Sequence, residues 1–310
     1  MEKIKLQTSA AASDQKRQDR VNTLLHNEII LSLMRKNNLT DPDVQERPDL
    51  FEAAAKSLAA CKGCKGLDCC TQPFRGLIES VMRDEDGFLD RRYQKCHYMT
   101  QNEELTAHAR RFTRTHMSEK DFLIDFNKLR AGLSNESKEY ILTFTQAVTS
   151  HEQDYGLFIY GQPGTGKSTL MMALANKDAQ EGKSVAYVRV PRLISDLKSV
   201  MGQNEENARM LFDLRRAQVL YLDDFGSEMM TRWSRDEILF PLLEERMDQH
   251  KKTYFASNMS QKELQILYQL DGSDRDTVAA KRLMERVIAL SDEVALKGES
   301  RRKHPGGQGR

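Results

Sequence analysis

Between residues 156 and 257 the chain alternates short, nearly continuous apolar runs with longer amphipathic stretches. The runs are GLFIY (156–160), SVAYVRV (184–190), VLYLDD (219–224) and KTYFAS (252–257). Runs of this length, rich in β-branched and aromatic residues and lacking polar alternation, predict strands buried on both faces. The stretches between them, 167–181, 191–217 and 234–249, predict helices. Strand and helix in alternation imply parallel βαβ units and an α/β domain. Two further helices are expected near 118–131 and 135–150. Pro241 falls inside the 234–249 stretch, where the missing N–H predicts a bend.

The first third reads differently. Val21, Leu24, Leu25, Ile29, Leu31 and Leu33 follow a mostly helical period over 16–36, stopped by KNNLTDPD. A second helix is expected over 49–60. GLIESVMR (76–83) and FLDRRYQKC (88–96) flank DEDG, which predicts a hairpin whose Gly87 supplies the positive φ of the turn. Residues 99–117 are polar without either period and read as a linker. The organisation expected is a small α+β domain over 1–106, a linker over 107–132 and an α/β domain over 133–310.

Composition narrows the compartment more than the partner. A net charge of +1 implies nothing about nucleic acid, because a basic face can be balanced elsewhere. No stretch approaches the roughly 20 apolar residues of a membrane span, and the first residues lack a signal-type apolar core; a cytoplasmic protein without membrane association is expected. All five cysteines, Cys61, Cys64, Cys69, Cys70 and Cys96, fall in one segment. An odd number in a reducing compartment argues for a metal rather than disulfides. CKGC (61–64) is a typical first half of a tetrahedral zinc site, and the hairpin would return Cys96 beside it. The fourth ligand is Cys69 or Cys70, with His97 a weaker choice. A domain this small needs such a staple to fold.

GQPGTGKST (161–169) follows a predicted strand and opens a predicted helix. Gly161, Gly164 and Gly166 allow backbone N–H groups to turn toward phosphate oxygens at the positive end of the helix. Lys167 can reach the β and γ phosphates of ATP, and Ser168 can ligate Mg2+. VLYLDD supplies the acidic element: Asp223 to hold Mg2+ through water, Asp224 to orient an attacking water. Asn258, after the next strand, can hydrogen-bond that water or the γ-phosphate. Arg282 and Arg286 lie one turn apart on one helix face; either they are solvated or paired with acidic neighbours such as Glu285, or one reaches the nucleotide of an adjacent subunit. Arg301 and Arg302 can contact phosphate from the same chain.

In order, these elements resemble the AAA+ ATPases of the primosomal helicase-loader type, the DnaI and DnaC group. The most specific stretch is YLDDFGSEMMTRWSRDEILFPLLEERM (221–247), followed by FASN, RLMER and a late G-x-x-RR. The resemblance implies that Gly161, Gln162, Pro163, Gly164, Thr165, Gly166, Lys167, Ser168 and Thr169 form Walker A, Asp223 and Asp224 Walker B, and Asn258 sensor 1. It implies an arginine finger at Arg286 with Arg282 beside it, and sensor 2 at Arg301 or Arg302. It likens the N-terminal unit to the DnaI-type zinc-binding, helicase-interacting domain. The activity implied is ATP-dependent loading of a hexameric replicative helicase onto DNA, with single-stranded DNA and self-association through the AAA+ domain. An IstB-like transposition ATPase shares the core but is not expected to carry the cysteine-rich front. A small-molecule kinase would need a lid and acceptor pocket, which nothing in 170–250 provides. ATP is then a switch with hydrolysis as its reset, and the shorter Asp224 in place of a glutamate implies slow turnover.

Overall fold

The computed structural model describes residues 2–200, 204–298 and 300. The chain divides into two compact units, Met1–Glu104 and Leu105–Arg310. In the first, the helical pattern over 16–36 belongs to two helices, Glu2–Leu25 and Glu28–Asn37. Asn27 separates them: its extended backbone and its side chain, which accepts the N–H of Ile29 at 2.9 Å, start a new helix. Thr40 and Asp43 form a reciprocal cap that begins a short helix, Asp41–Glu46, and Pro48 opens the next, Pro48–Ala60. Strands β1 (Leu77–Arg83) and β2 (Leu89–Lys95) pair antiparallel as expected, with Gly87 at φ +87° in the turn. Val81 and Leu89 of the hairpin join Leu24, Ile30, Phe51 and Ala54 in one small core.

The second unit is a parallel six-stranded sheet between helices. Its strands are β3 (Phe112–Thr115), β4 (Gly156–Tyr160), β5 (Val185–Arg189), β6 (Val219–Asp223), β7 (Thr253–Ser257) and β8 (Ser291–Ala295), in the spatial order β3-β5-β6-β7-β4-β8. The four runs read from hydrophobicity are the four central strands. The stretch 107–132, expected as linker, instead contains β3, which pairs with β5 as an edge strand. An edge strand meets a neighbour on one side only, so FTRT needs no apolar run. The other edge, β8, holds two exposed acidic residues, Asp292 and Glu293, and gave no strand signal for the same reason. Apolar side chains fill both faces of the sheet: Leu220, Leu222 and Phe255 on one, Leu170, Tyr187, Tyr221 and Tyr254 on the other.

Pro241 lies inside a helical run that is unbroken over 232–248, but the run changes type just before it: Trp233–Leu239 are π-helical and Phe240–Asp248 α-helical, a local widening of the kind that accommodates a residue lacking an N–H. The helix Asp274–Leu290 buries Leu283, Met284 and Val287 and leaves Arg282 exposed and Arg286 half-buried.

Candidate active site

The C-terminal ends of β4, β6 and β7 converge, the usual place for a ligand on an open parallel sheet. β4 runs into the loop 161–166 and then into the helix Lys167–Gln180. Gly161 has φ +151°, and a Cβ there would lie 2.1 Å from the carbonyl oxygen of Leu296, just beyond β8. Gly166, at φ +104°, caps the helix. Lys167 is buried, and its ammonium donates to the carbonyls of Gly161 (2.6 Å) and Gln162 (2.9 Å) and to Asn258 Oδ1 (3.1 Å). Thr165 Oγ1 donates to the Gln162 carbonyl at 3.0 Å, while Gln162, Pro163 and Thr169 are exposed.

The acidic element meets this loop directly. Ser168 Oγ donates to Asp223 Oδ1 at 3.0 Å, and the Asp224 N–H donates to the same oxygen at 3.0 Å. Asp223 is buried, and burial, reinforced by the neighbouring Asp224 charge, raises its pKa above the usual carboxylate value. Asp224 sits at φ +54°, a conformation few residues other than glycine adopt. Lys167, Ser168, Asp223 and Asn258 are thus gathered by hydrogen bonds, with Asp224 adjacent. Tyr187 belongs with them and was not read from sequence: its hydroxyl, on β5, donates to Asp223 Oδ2 at 2.8 Å. No sequence spacing announces a contact between adjacent strands.

Arg282 and Arg286 form a separate group. Arg286 makes two hydrogen bonds to Glu244, at 3.2 and 3.0 Å, and one to Glu285 at 3.3 Å. The hydrogen-bonded Glu244 carboxylate raises its already high pKa. Both guanidinium groups lie over the Phe240 ring, at 4.5 Å for Arg282 and 5.1 Å for Arg286. Arg301 and Arg302 lie outside the described residues.

Other polar residues of the 221–247 stretch hold the scaffold. Arg235 is buried, and donates to Asp276 at 2.9 Å and to the Tyr268 carbonyl at 2.8 Å. Glu228 accepts from the Gly226 N–H (2.9 Å) and the Tyr268 hydroxyl (2.5 Å), and burial raises its pKa. Arg246, fully buried, donates to the carbonyls of Leu214, Ala217 and Lys252; burial lowers its pKa to about 9.

In the first unit, Cys61, Cys64, Cys70 and Cys96 line one pocket together with His97, whereas Cys69 is exposed and is not part of its lining. Cys70 Sγ accepts the Gly76 N–H at 3.3 Å, Cys96 Sγ the Met99 N–H at 3.4 Å, and Cys61 Sγ the Gln72 side-chain amide at 3.1 Å. The backbone N–H groups of Gly76 and Gln72 lower the Cys70 pKa, favouring the thiolate that binds a metal. These sulfurs are not drawn together to the spacing of a bound ion. Among the described residues, the His, Cys, Asp or Glu group whose ligand atoms all lie within 4.8 Å of one another is His151, Asp178 and Glu181. Lys183 pairs with both carboxylates there, at 2.6 and 3.1 Å, and Lys177 also pairs with Glu181, so the charges already compensate one another. No described helix is long and apolar enough to cross a membrane.

A phosphate loop opening a helix, an aspartate pair at the end of the acidic strand β6 and a polar residue after β7, the strand that lies between β6 and β4, define a P-loop ATPase of the AAA+ class. The chain belongs to the family of IstB-like ATP-binding proteins, which it matches over residues 85–308. It is 36% identical over 169 residues to the replicative helicase loader DnaI of Bacillus subtilis, covering 54% of this chain and 53% of that one. It is 32% identical over 134 residues to the replicative helicase loader DnaC of Buchnera aphidicola subsp. Baizongia pistaciae, covering 42% and 51%. The chain spans about half the length of the curated relatives it matches. The crystal structure of DnaI superposes with a TM-score of 0.50 and 28% identity, over 60% of this chain and 97% of that one.

Proposed function

We propose that this ATPase loads a replicative hexameric helicase onto single-stranded DNA in the cytoplasm. The observation that carries the reading is the combination, in one chain, of an ATPase unit related to helicase loaders and a separate front unit with a cysteine-lined pocket. In this reading Gly161–Thr169 bind the phosphates, with Lys167 on the β and γ groups. Ser168 and Asp223 hold Mg2+, Asp224 orients the attacking water and Asn258 senses the γ-phosphate. Arg286, with Arg282 beside it, serves the nucleotide of a neighbouring copy, and Arg301 or Arg302 serves its own. Cys61, Cys64, Cys70 and Cys96 would hold a structural Zn2+: the donor set suits the ion, and N–H groups directed at three of the sulfurs supply the outer hydrogen bonds that thiolates need. The front unit, 1–106, contacts the helicase, and the ATPase unit controls when that contact opens onto DNA. ATP acts as a switch and turnover is slow.

The test is co-purification with the replicative helicase, with and without ATP, using the whole chain and residues 1–106. A front fragment that does not bind while 133–310 does would reverse this division of labour. The family match favours one competing reading, an ATPase that serves a transposase. A chain that ignores the helicase but stimulates a transposase would establish that reading instead.

A further inference from the structure

Tyr187, Tyr221 and Tyr254 stand side by side on β5, β6 and β7, in register across three strands. Tyr221 and Tyr254 stack with ring centroids 4.8 Å apart, and Tyr187 and Tyr221 with centroids 6.1 Å apart. All three are fully buried, so each hydroxyl must find a partner. Two of them donate to buried aspartates: Tyr187 to Asp223 Oδ2 at 2.8 Å and Tyr221 to Asp178 Oδ2 at 2.5 Å.

The two tyrosine–aspartate pairs differ in what balances the charge. Asp178 also meets Lys183 at 2.6 Å and His151 at 2.8 Å; its buried charge is compensated, and its pKa lies below the usual value. Asp223 receives three donors, from Ser168, the Asp224 backbone and Tyr187, and all three are neutral. Among the described residues no lysine, arginine or histidine pairs with it. A buried carboxylate without a cation is costly, and this one lies beside a loop built for a nucleotide that travels with a divalent cation. Its three donors fix both oxygens and hence the plane of the group. Two converge on Oδ1, and Tyr187 alone holds Oδ2.

We propose that Tyr187 is a positioning residue for the divalent cation: its hydroxyl holds the Asp223 carboxylate in the orientation that receives Mg2+ and so sets how much Mg2+ the nucleotide site needs. This rests on the reading of Asp223 as the magnesium-side carboxylate. Tyr187 is fully buried, and its hydroxyl acts through Asp223.

The test is Tyr187→Phe, which removes one oxygen and keeps the ring in the stack. Binding of a fluorescent ATP analogue is measured against Mg2+ concentration and again in excess chelator, with a thermal melt on each preparation. The half-saturating Mg2+ concentration is expected to rise about tenfold, in the range seen when an outer hydrogen bond to a metal ligand is removed. Affinity in chelator should be unchanged. Tyr221→Phe serves as control, because it removes the matching bond to Asp178 where lysine and histidine remain; it should lower the melting temperature and leave the Mg2+ dependence as it was. A wild-type Mg2+ curve for Tyr187→Phe, or equal shifts in both variants, overturns the proposal. Asp223→Asn separates the two levels of the argument. If it keeps Mg2+-dependent binding, the reading of Asp223 fails; if it loses that dependence while Tyr187→Phe does not, only the role of Tyr187 fails.

Discussion

For Arg286 to reach a neighbouring copy's nucleotide it must first leave Glu244. That contact is two-pronged, at 3.2 and 3.0 Å, with the arginine side chain 19% and the glutamate 33% exposed. Fully exposed pairs contribute roughly 0.2–1 kcal/mol. Paired geometry and partial shielding put this one near the upper end, about 1 kcal/mol, before the Phe240 contact that Arg286 shares with Arg282. Glu244→Ala should therefore shift the arginine toward its released state by about fivefold, since 1.4 kcal/mol corresponds to a factor of ten. The predicted effects run in opposite directions. The melting temperature falls by about 2–4 °C, as expected for 1 kcal/mol in a unit of this size, while ATP turnover at protein concentrations below full assembly rises several-fold. Phosphate release measured across a protein dilution series is the assay, with Arg286→Ala and the double variant alongside. Arg286→Ala should be slow at every concentration, with unaltered nucleotide affinity in the monomer, and adding Glu244→Ala should not rescue it. A Glu244→Ala protein no faster than wild type, or a double variant faster than Arg286→Ala alone, would show that Arg286 is simply a partner of the helix it packs on.

Three more outcomes are expected. Lys167→Ala removes the ammonium held at the loop and should reduce ATP affinity by at least tenfold while leaving the melt nearly unchanged; intact affinity would remove the loop from the ATP site. In the front unit, Cys70→Ser should release zinc and unfold the domain, whereas Cys69→Ser should retain about one ion per chain by elemental analysis; the reverse pattern would exchange the two. Glu228 has a folded pKa raised above its unfolded value, so its contribution to stability is present at low pH and lost as pH rises through the folded pKa. Glu228→Gln should therefore gain in melting temperature relative to wild type between roughly pH 4.5 and neutral, and a difference that does not change with pH would refute the assignment.

The central sheet was legible because β4 to β7 are buried on both sides and must be written in apolar residues. The same logic hid β3 and β8, whose edge positions tolerate Thr113, Arg114, Asp292 and Glu293. The phosphate loop is contiguous, so a short window contains it whole. Tyr187 stood in plain view within an apolar run, but its role comes from strand order, which no window carries. The break at Asn27 is a matter of one side chain capping in place of continuing a periodic pattern. The choice between Cys69 and Cys70 turns on the short helical turn Leu67–Cys69, which leaves one thiol outside the pocket.

The contact between Gly161 and Leu296 also has a meaning for synthesis. The loop begins where β4 ends, β4 is flanked by β7 and β8, and β8 is later in sequence than every other strand of its sheet. On the ribosome the front unit, contiguous in sequence, can fold early. The nucleotide loop has to wait: its first glycine lies against a carbonyl that emerges after all the strands have been made. A nascent chain stalled before Ser291 should therefore leave the loop open to protease and fail to retain ATP, and release of the remaining residues should restore both. Capture of ATP by the stalled chain would mean that β4 and β7 shape the loop without β8.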